Sequence, residues 1–578
     1  MKRNGLIILL FWLTIEAFAI PAKRTFFKVM LEDGTNTSVF LVGDETFHFL
    51  VTADGIPVLP TENGAYRLSP QSKDEISSQW AKRLSSRNEQ RLRKVRKLQQ
   101  QRRVFGHPTS YIGKKKGLVI LVNFADLTMK TTSTLEAFDN QFNQEGYRKN
   151  GHQGSVRDYF NDASYGKFEI DFDVVGPVTV SKSYSYYGRN NRSGDDSYPA
   201  TMVAEACLKI DSLVNFKDYD WDEDGFVDQV YVIYAGYGEH AGASSNTIWP
   251  HEYELSTSAS EGDGPGAIFL DSVTIDTYAM SCELSGTSGS TIDGIGTACH
   301  EFSHCLGLPD FYDTSYSGGF GMNTWDLLDF GSYNGPTNDG QVPAGFTAYE
   351  RWFAGWMELE ELSESKIVSE MPALQDSACA YVMYNDADRD EFFVLENRQN
   401  KGWFQYVGTN ESCHGLLIYH VDFDSLAWED NSVNSLAKHQ RMSIVPANNT
   451  YGKFIRTLGQ YELTNSQLIG QLFPGNMNVT AFTNGSHDEY NGKLFNKNTD
   501  ESYNLNKSIT DISEDNGLIT FSFKNNSKTI DDAIFLEESE EPITEYYSLS
   551  GTKTRKPIVP GVYVIKQNGK FKKCYLGH

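Results

Sequence analysis

The chain is 578 residues long with 39% hydrophobic residues, enough for several cores and about three or four domains, and its formal charge is −25. That acidity argues against nucleic acid as a partner, since phosphates repel it. Seven widely spaced cysteines exclude a dense disulfide framework and a CxxC metal site, and their odd number leaves at least one unpaired or bonded between chains.

Residues 1–22 read as a signal peptide: Lys2 and Arg3, the apolar run Leu6–Leu13, then Ala17-Phe18-Ala19 as an A-x-A-like cleavage site. The run is too short to cross a bilayer, and no later segment reaches spanning length. The expectation is an exported protein without a transmembrane segment, secreted or at the cell surface. Residues 25–70 alternate strand-like runs (FFKVML, TSVFLVGD, FHFLVTADG) with Gly and Asn turns, a small β-rich unit. Residues 82–103 then hold ten Lys/Arg against one acid, Glu89, and read as a solvated or partly amphipathic linker helix. The stretch Arg91 to Arg103 is a target for trypsin-like enzymes.

Leu118–Phe124 is an uninterrupted apolar run of the kind a central strand carries. A helix near Ser155–Tyr165, strands in FEIDFDVVGPVTV, a helix over 199–213 and a buried strand in VDQVYVIYAGYG follow, predicting a mixed α/β domain. Between the last two lies Asp220-Trp-Asp222-Glu-Asp224-Gly225-Phe-Val-Asp228. Alternating carboxylates with a turn glycine wrap a hard cation, so Asp220, Asp222, Asp224 and Asp228 are candidate calcium ligands, with the Phe226 carbonyl beside them. Tyr231 stands where a full EF-hand has glutamate. The plainer alternative is a solvated acidic turn.

The sharpest signal is TACHEFSHCLGLPDFYD. If Ala298–Leu306 is helical, His300 and His304 lie one above the other and can share one zinc ion, with Glu301 beside it as general base. A bare HExxH also arises by chance. Here Gly307 lets the helix stop in a left-handed conformation and Pro309 forbids its continuation. Asp310 arrives six residues after His304, the third-ligand spacing of HExxHxxGxx(H/D). Asp313 is the alternative third ligand or a calcium ligand. Cys299 and Cys305 flank the motif and read as small core residues.

At these residues the chain resembles the immune inhibitor A-like secreted zinc metallopeptidases, relatives of the metzincins. GLVILVNFAD (117–126), SVRDYFNDASYGKFEID (155–171), DWDEDGFVDQVYVIYAGYGEHAG (220–242), NTIWPHE (246–252), GFTAYERWFAGW (345–356) and GLLIYHVD (415–422) extend the likeness over roughly residues 25–525. The resemblance implies a zymogen: a signal peptide, a propeptide domain with its basic linker over 23–110, a metzincin-like catalytic domain over 111–356, zinc, and often calcium. A cysteine switch is excluded because the first cysteine is Cys207; a propeptide carboxylate or a blocked cleft remain as routes to latency. The family's methionine turn falls at NTWDLLDFGSYNG (323–335), where Leu328 replaces methionine, Met322 is out of register and Phe330 lacks a hydroxyl. Tyr333 is then the candidate to help polarise a carbonyl.

After Trp356 the strand-rich runs ACAYVMYND, EFFVLENRQ, GLLIYHVDF and RMSIVPANN predict a β-sandwich-like region over 357–525. His420, Asp422 and His439 form either a second metal cluster or hydrogen-bonded core residues. Residues 526–578 end in a strand-and-turn tail, a sorting signal read by secretion machinery or a plain β-hairpin module. The combined expectation is an exported zinc endopeptidase: His300, His304 and Asp310 hold the metal, Glu301 moves the proton, and proteins are the substrates. The rivals are a catalytically silent adhesin with structural zinc and a glycan-binding surface protein.

Overall fold

The computed structural model describes residues 19–23, 25–45, 48–61, 64–70, 111–191, 194–455, 460–483 and 493–525, and strands 545–547, 553–554, 561–567 and 570–576. The signal-peptide residues before Ala19 and the basic linker lie outside the described residues. The first unit is a five-stranded antiparallel sheet in sequence order: β1 (Phe27–Met30), β2 (Asn36–Gly43), β3 (His48–Thr52), β4 (Pro57–Pro60) and β5 (Tyr66–Leu68).

The central sheet contains β6 (Gly113–Asn123), β7 (Phe168–Thr179), β8 (Val230–Tyr237), β9 (His251–Glu254) and, after a hairpin of β10 (Ile268–Leu270) and β11 (Val273–Ile275), β12 (Thr277–Leu284). Its order is β7-β6-β8-β12-β9, four parallel strands closed by antiparallel β9 at the edge. Both faces are covered, which is why its inner strands are apolar throughout. Leu118, Ile120 and Val122 face the helix Pro199–Ile210, whereas Val119 and Leu121 share a core with the helix Ile295–Cys305.

That second core does not stop at the end of the central domain. It runs from Val119 through Phe302, Trp325 and Trp356 to Val394, Tyr419, Trp428 and Leu472. Val394 and Tyr419 belong to a further sheet of strands Glu360–Glu361, Ala380–Tyr384, Glu391–Arg398, Gly415–Asp422 and Met442–Ile444, whereas Trp428 and Leu472 lie in the connections after its strands. The opposite face of this sheet packs Phe393, Leu395 and Ile418 against Ile509, Phe521 and Phe523 of a three-stranded antiparallel sheet. The last described strands form a four-stranded antiparallel sheet. No helix among the described residues is long and apolar enough to cross a membrane.

Candidate metal centre

The helix Ile295–Cys305 ends in a Schellman motif. The Gly307 N–H bonds the His304 carbonyl at 2.8 Å and the Leu308 N–H reaches Ser303 at 3.4 Å, with Gly307 at φ +85°. This stop has a chemical consequence: it brings the Leu308 carbonyl back under the His304 ring, 2.7 Å from Nδ1. His300 Nδ1 likewise meets the Leu327 carbonyl at 2.8 Å. A carbonyl only accepts, so each Nδ1 carries the proton and each Nε2 of the neutral ring presents a lone pair. The rings stand 4.7 Å apart, near-perpendicular.

Both Nε2 atoms point at Asp310, whose Oδ1 lies 3.1 Å from His300 and 3.5 Å from His304. One ligand atom from each of the three residues falls within 4.8 Å of the others, all buried. His300 Nε2 and Asp310 Oδ1 make no hydrogen bond despite complete burial. Two inward-facing buried acceptors suit a cation between them, and an imidazole pair with one carboxylate fits zinc. The carboxylate is held from outside: Asn431 Nδ2 donates to Asp310 Oδ2 at 2.7 Å, and Asn431 Oδ1 accepts the Asp310 N–H at 2.8 Å. Asn431 lies in the loop after the helix Ser425–Glu429, so the strand-rich region buttresses the centre. Burial holds His304 down to about 4, against the pull of Asp310.

Glu301 is buried next to this cluster. Burial raises its carboxyl well above the usual range; the Ile20 N–H opposes this, and Asp310 and Glu252 add to it. The Ile20 N–H donates to Glu301 Oε1 at 2.9 Å. The whole segment Ala19–Lys23 lies buried across the site. Tyr312 Oη donates to the Ala19 carbonyl at 3.0 Å, Trp249 Nε1 to Ile20 at 2.9 Å, and Tyr333 Oη to Pro21 at 2.6 Å. Ala22 and Lys23 donate their N–H groups to the carbonyls of Gly43 and His240, each at 2.8 Å. Tyr333 thus faces the cleft, whereas Leu328 and Met322 are buried in the core below and Phe330 opens a short turn capped by Asp329.

Asp313 is placed apart from the histidines and organises its own loop, accepting from the N–H groups of Ser315, Gly318 and Gly319. In the acidic loop, Asp220, Asp222 and Asp228 bring carboxylate oxygens within 4.8 Å of one another. Asp224 is outside that group, and its Oδ1 accepts the Phe226 N–H at 2.9 Å. Burial, helped by Asp222, Asp224 and Asp220, pushes Asp228 up to about 6 against the Trp221 N–H that it accepts. His420 and His439 each have an acid partner. His420 meets Glu391 at 3.0 Å between the rings of Phe393 and Phe495, and His439 meets Asp422 at 2.6 Å, where Arg441 also binds.

Helix-borne histidines, a third ligand beyond the helix stop and an adjacent buried glutamate define a metallopeptidase-type domain. Residues 108–357 match the family model of the immune inhibitor A peptidase M6 catalytic domain. It is 26% identical to the pre-pro-metalloprotease PrtV of Vibrio cholerae over 311 residues, 46% of this chain and 33% of the relative. It is 25% identical to immune inhibitor A of Bacillus thuringiensis subsp. alesti over 299 residues, 44% and 42% of the two chains. A putative secreted metallopeptidase of Arthroderma benhamiae is 27% identical over 243 residues, 36% of this chain and 33% of its own length. The chain therefore spans about a third to two fifths of the curated relatives that it matches.

Proposed function

We propose that the protein is an exported zinc endopeptidase made as a zymogen, its metzincin-like catalytic domain preceded by a propeptide over residues 23–110. The observation that carries this reading is the convergence of His300, His304 and Asp310 beside Glu301. Zinc held by these residues would supply Lewis-acid polarisation of a peptide carbonyl and acidify water. Glu301 accepts a proton from the attacking water and returns it to the departing nitrogen. Burial raises its affinity for protons, which favours its taking up the water's proton. Tyr333, whose hydroxyl donates to the Pro21 carbonyl, holds the backbone in the cleft on the leaving-amine side.

If export cleavage falls directly after the A-x-A-like site at Ala19, Ile20–Lys23 stay on the exported chain, and their backbone covers Glu301 and the aromatic donors around it, which accounts for latency. The relatives' printed names, one pre-pro-metalloprotease and one putative secreted metallopeptidase, support export and processing. Calcium in the Asp220–Asp222–Asp228 group would tie the acidic loop to β8 and stabilise the sheet edge, a structural role. Proteins are the substrates and the propeptide is the internal partner. The C-terminal strands serve export as a sorting tail.

The test is casein hydrolysis by the full chain before and after limited trypsin treatment, with and without a zinc chelator. The reading expects little activity before, a rise on cleavage within the basic linker, and loss on chelation restored by zinc. Chelator-resistant hydrolysis, or none under any condition, would refute it.

A further inference from the structure

Ile20 sets a register for the cleft. Its nitrogen sits 2.9 Å from Glu301 Oε1, where a departing nitrogen must be to collect its proton. Ile20, Pro21, Ala22 and Lys23 then occupy the first four positions on the leaving-amine side. Each is fixed by polar groups described above, and the fourth also has a side-chain pocket. The Lys23 side chain is only 7% exposed and its ammonium pairs with Asp339 Oδ1.

The pocket belongs to the catalytic segment, not to the chain that fills it. Ser285 Oγ donates to Asp339 Oδ1 at 3.0 Å and Thr337 Oγ1 to Oδ2 at 2.7 Å, which fixes the carboxylate before any ligand arrives. Asp293, buried at the start of the site helix, is held by Thr297 Oγ1 at 3.1 Å. Burial pushes Asp293 up to about 6 even while the Lys23 charge pulls it down. His240 completes the wall and does not compete as a cation, since burial and Lys23 hold it down to about 3. Once Lys23 leaves, a buried and a half-buried carboxylate remain with no lysine beside them, which is unfavourable.

We propose that Asp339 and Asp293 form a subsite for a basic side chain, so that the preferred substrates are polypeptides with Lys or Arg at the fourth residue beyond the cleaved bond. This rests on the peptidase reading.

The first test uses the full chain matured by trypsin and a peptide series carrying Lys, Arg, Gln or Glu at that position, with cut sites read by mass spectrometry. Lys and Arg peptides should exceed the Gln peptide at least tenfold in kcat/KM, and Glu should be poorest. Asp339→Asn should shrink the preference and Asp339→Lys should turn it toward Glu. Equal kcat/KM across the series, or an unchanged preference in Asp339→Asn, overturns the subsite. If no peptide is cut, the peptidase reading fails separately, and hydrogen exchange on the untreated full chain tests the pocket. Lys23→Gln should speed exchange in residues 19–30 about tenfold and Lys23→Arg should restore protection; identical exchange in all three overturns the proposal.

Discussion

Asn431 shows how much of the centre lies in one residue that the motif does not contain. It stands 121 residues from Asp310 in sequence and holds that carboxylate by both its amide and its backbone. The two histidine tautomers are fixed in the same indirect way, by the carbonyls of Leu308 and Leu327. Outer contacts of this type typically change metal affinity about 10- to 100-fold when lost. Asn431→Ala should therefore weaken zinc by about that factor in a competition titration with a chromophoric chelator, with the fold intact by circular dichroism. Unchanged affinity would show that Asp310 is positioned without it. The convergence of His300, His304 and Asp310 is legible from spacing because a helix and its stop are local; the Asn431 contact is not, because tertiary packing places it. In the acidic loop the spacing picks out four carboxylates, of which Asp220, Asp222 and Asp228 lie closest together.

The helix that carries the motif depends on glycine for its position as well as for its end. A Cβ on Gly296 would lie 1.8 Å from the Ser332 carbonyl oxygen, and one on Gly294 1.9 Å from that of Asp339. The Gly296 N–H also bonds Gly340 at 3.0 Å. The first turn of the helix therefore lies directly against the loop that bears Tyr333 and Asp339. Since the contact is with backbone, neither side can yield cheaply. Gly296→Ala should cost about 1–3 kcal/mol or more in urea unfolding, the range of overpacked cores. No loss would mean that the loop and helix are not in this contact. In the sequence the helix rests on the His300–His304 spacing and the Gly307 stop, and nothing local shows which glycine is needed for close approach.

At the scale of the molecule, one apolar core joins the central sheet to the strand-rich region that follows, from Val119 to Leu472. The sequence signals a composition change after Trp356, and the strands do begin there, but the packing that unites the two parts is invisible in a one-dimensional pattern. The cleft-filling segment is the other feature beyond reach: Ala19–Lys23 carries no motif, and its small apolar residues read equally well as the end of a signal peptide. Its burial against Glu301, Trp249, Tyr312 and Tyr333 makes the N-terminal sheet part of the site's architecture. All of these arrangements converge on Glu301 beside the group of His300, His304 and Asp310, on which the proposed mechanism rests. The most direct measurement is zinc content together with casein hydrolysis for trypsin-treated wild type and Glu301→Ala. The account predicts about one zinc per chain in both, with hydrolysis lower by at least about 100-fold in the variant, the scale of general acid–base catalysis. Hydrolysis that survives the substitution with zinc still bound would contradict it.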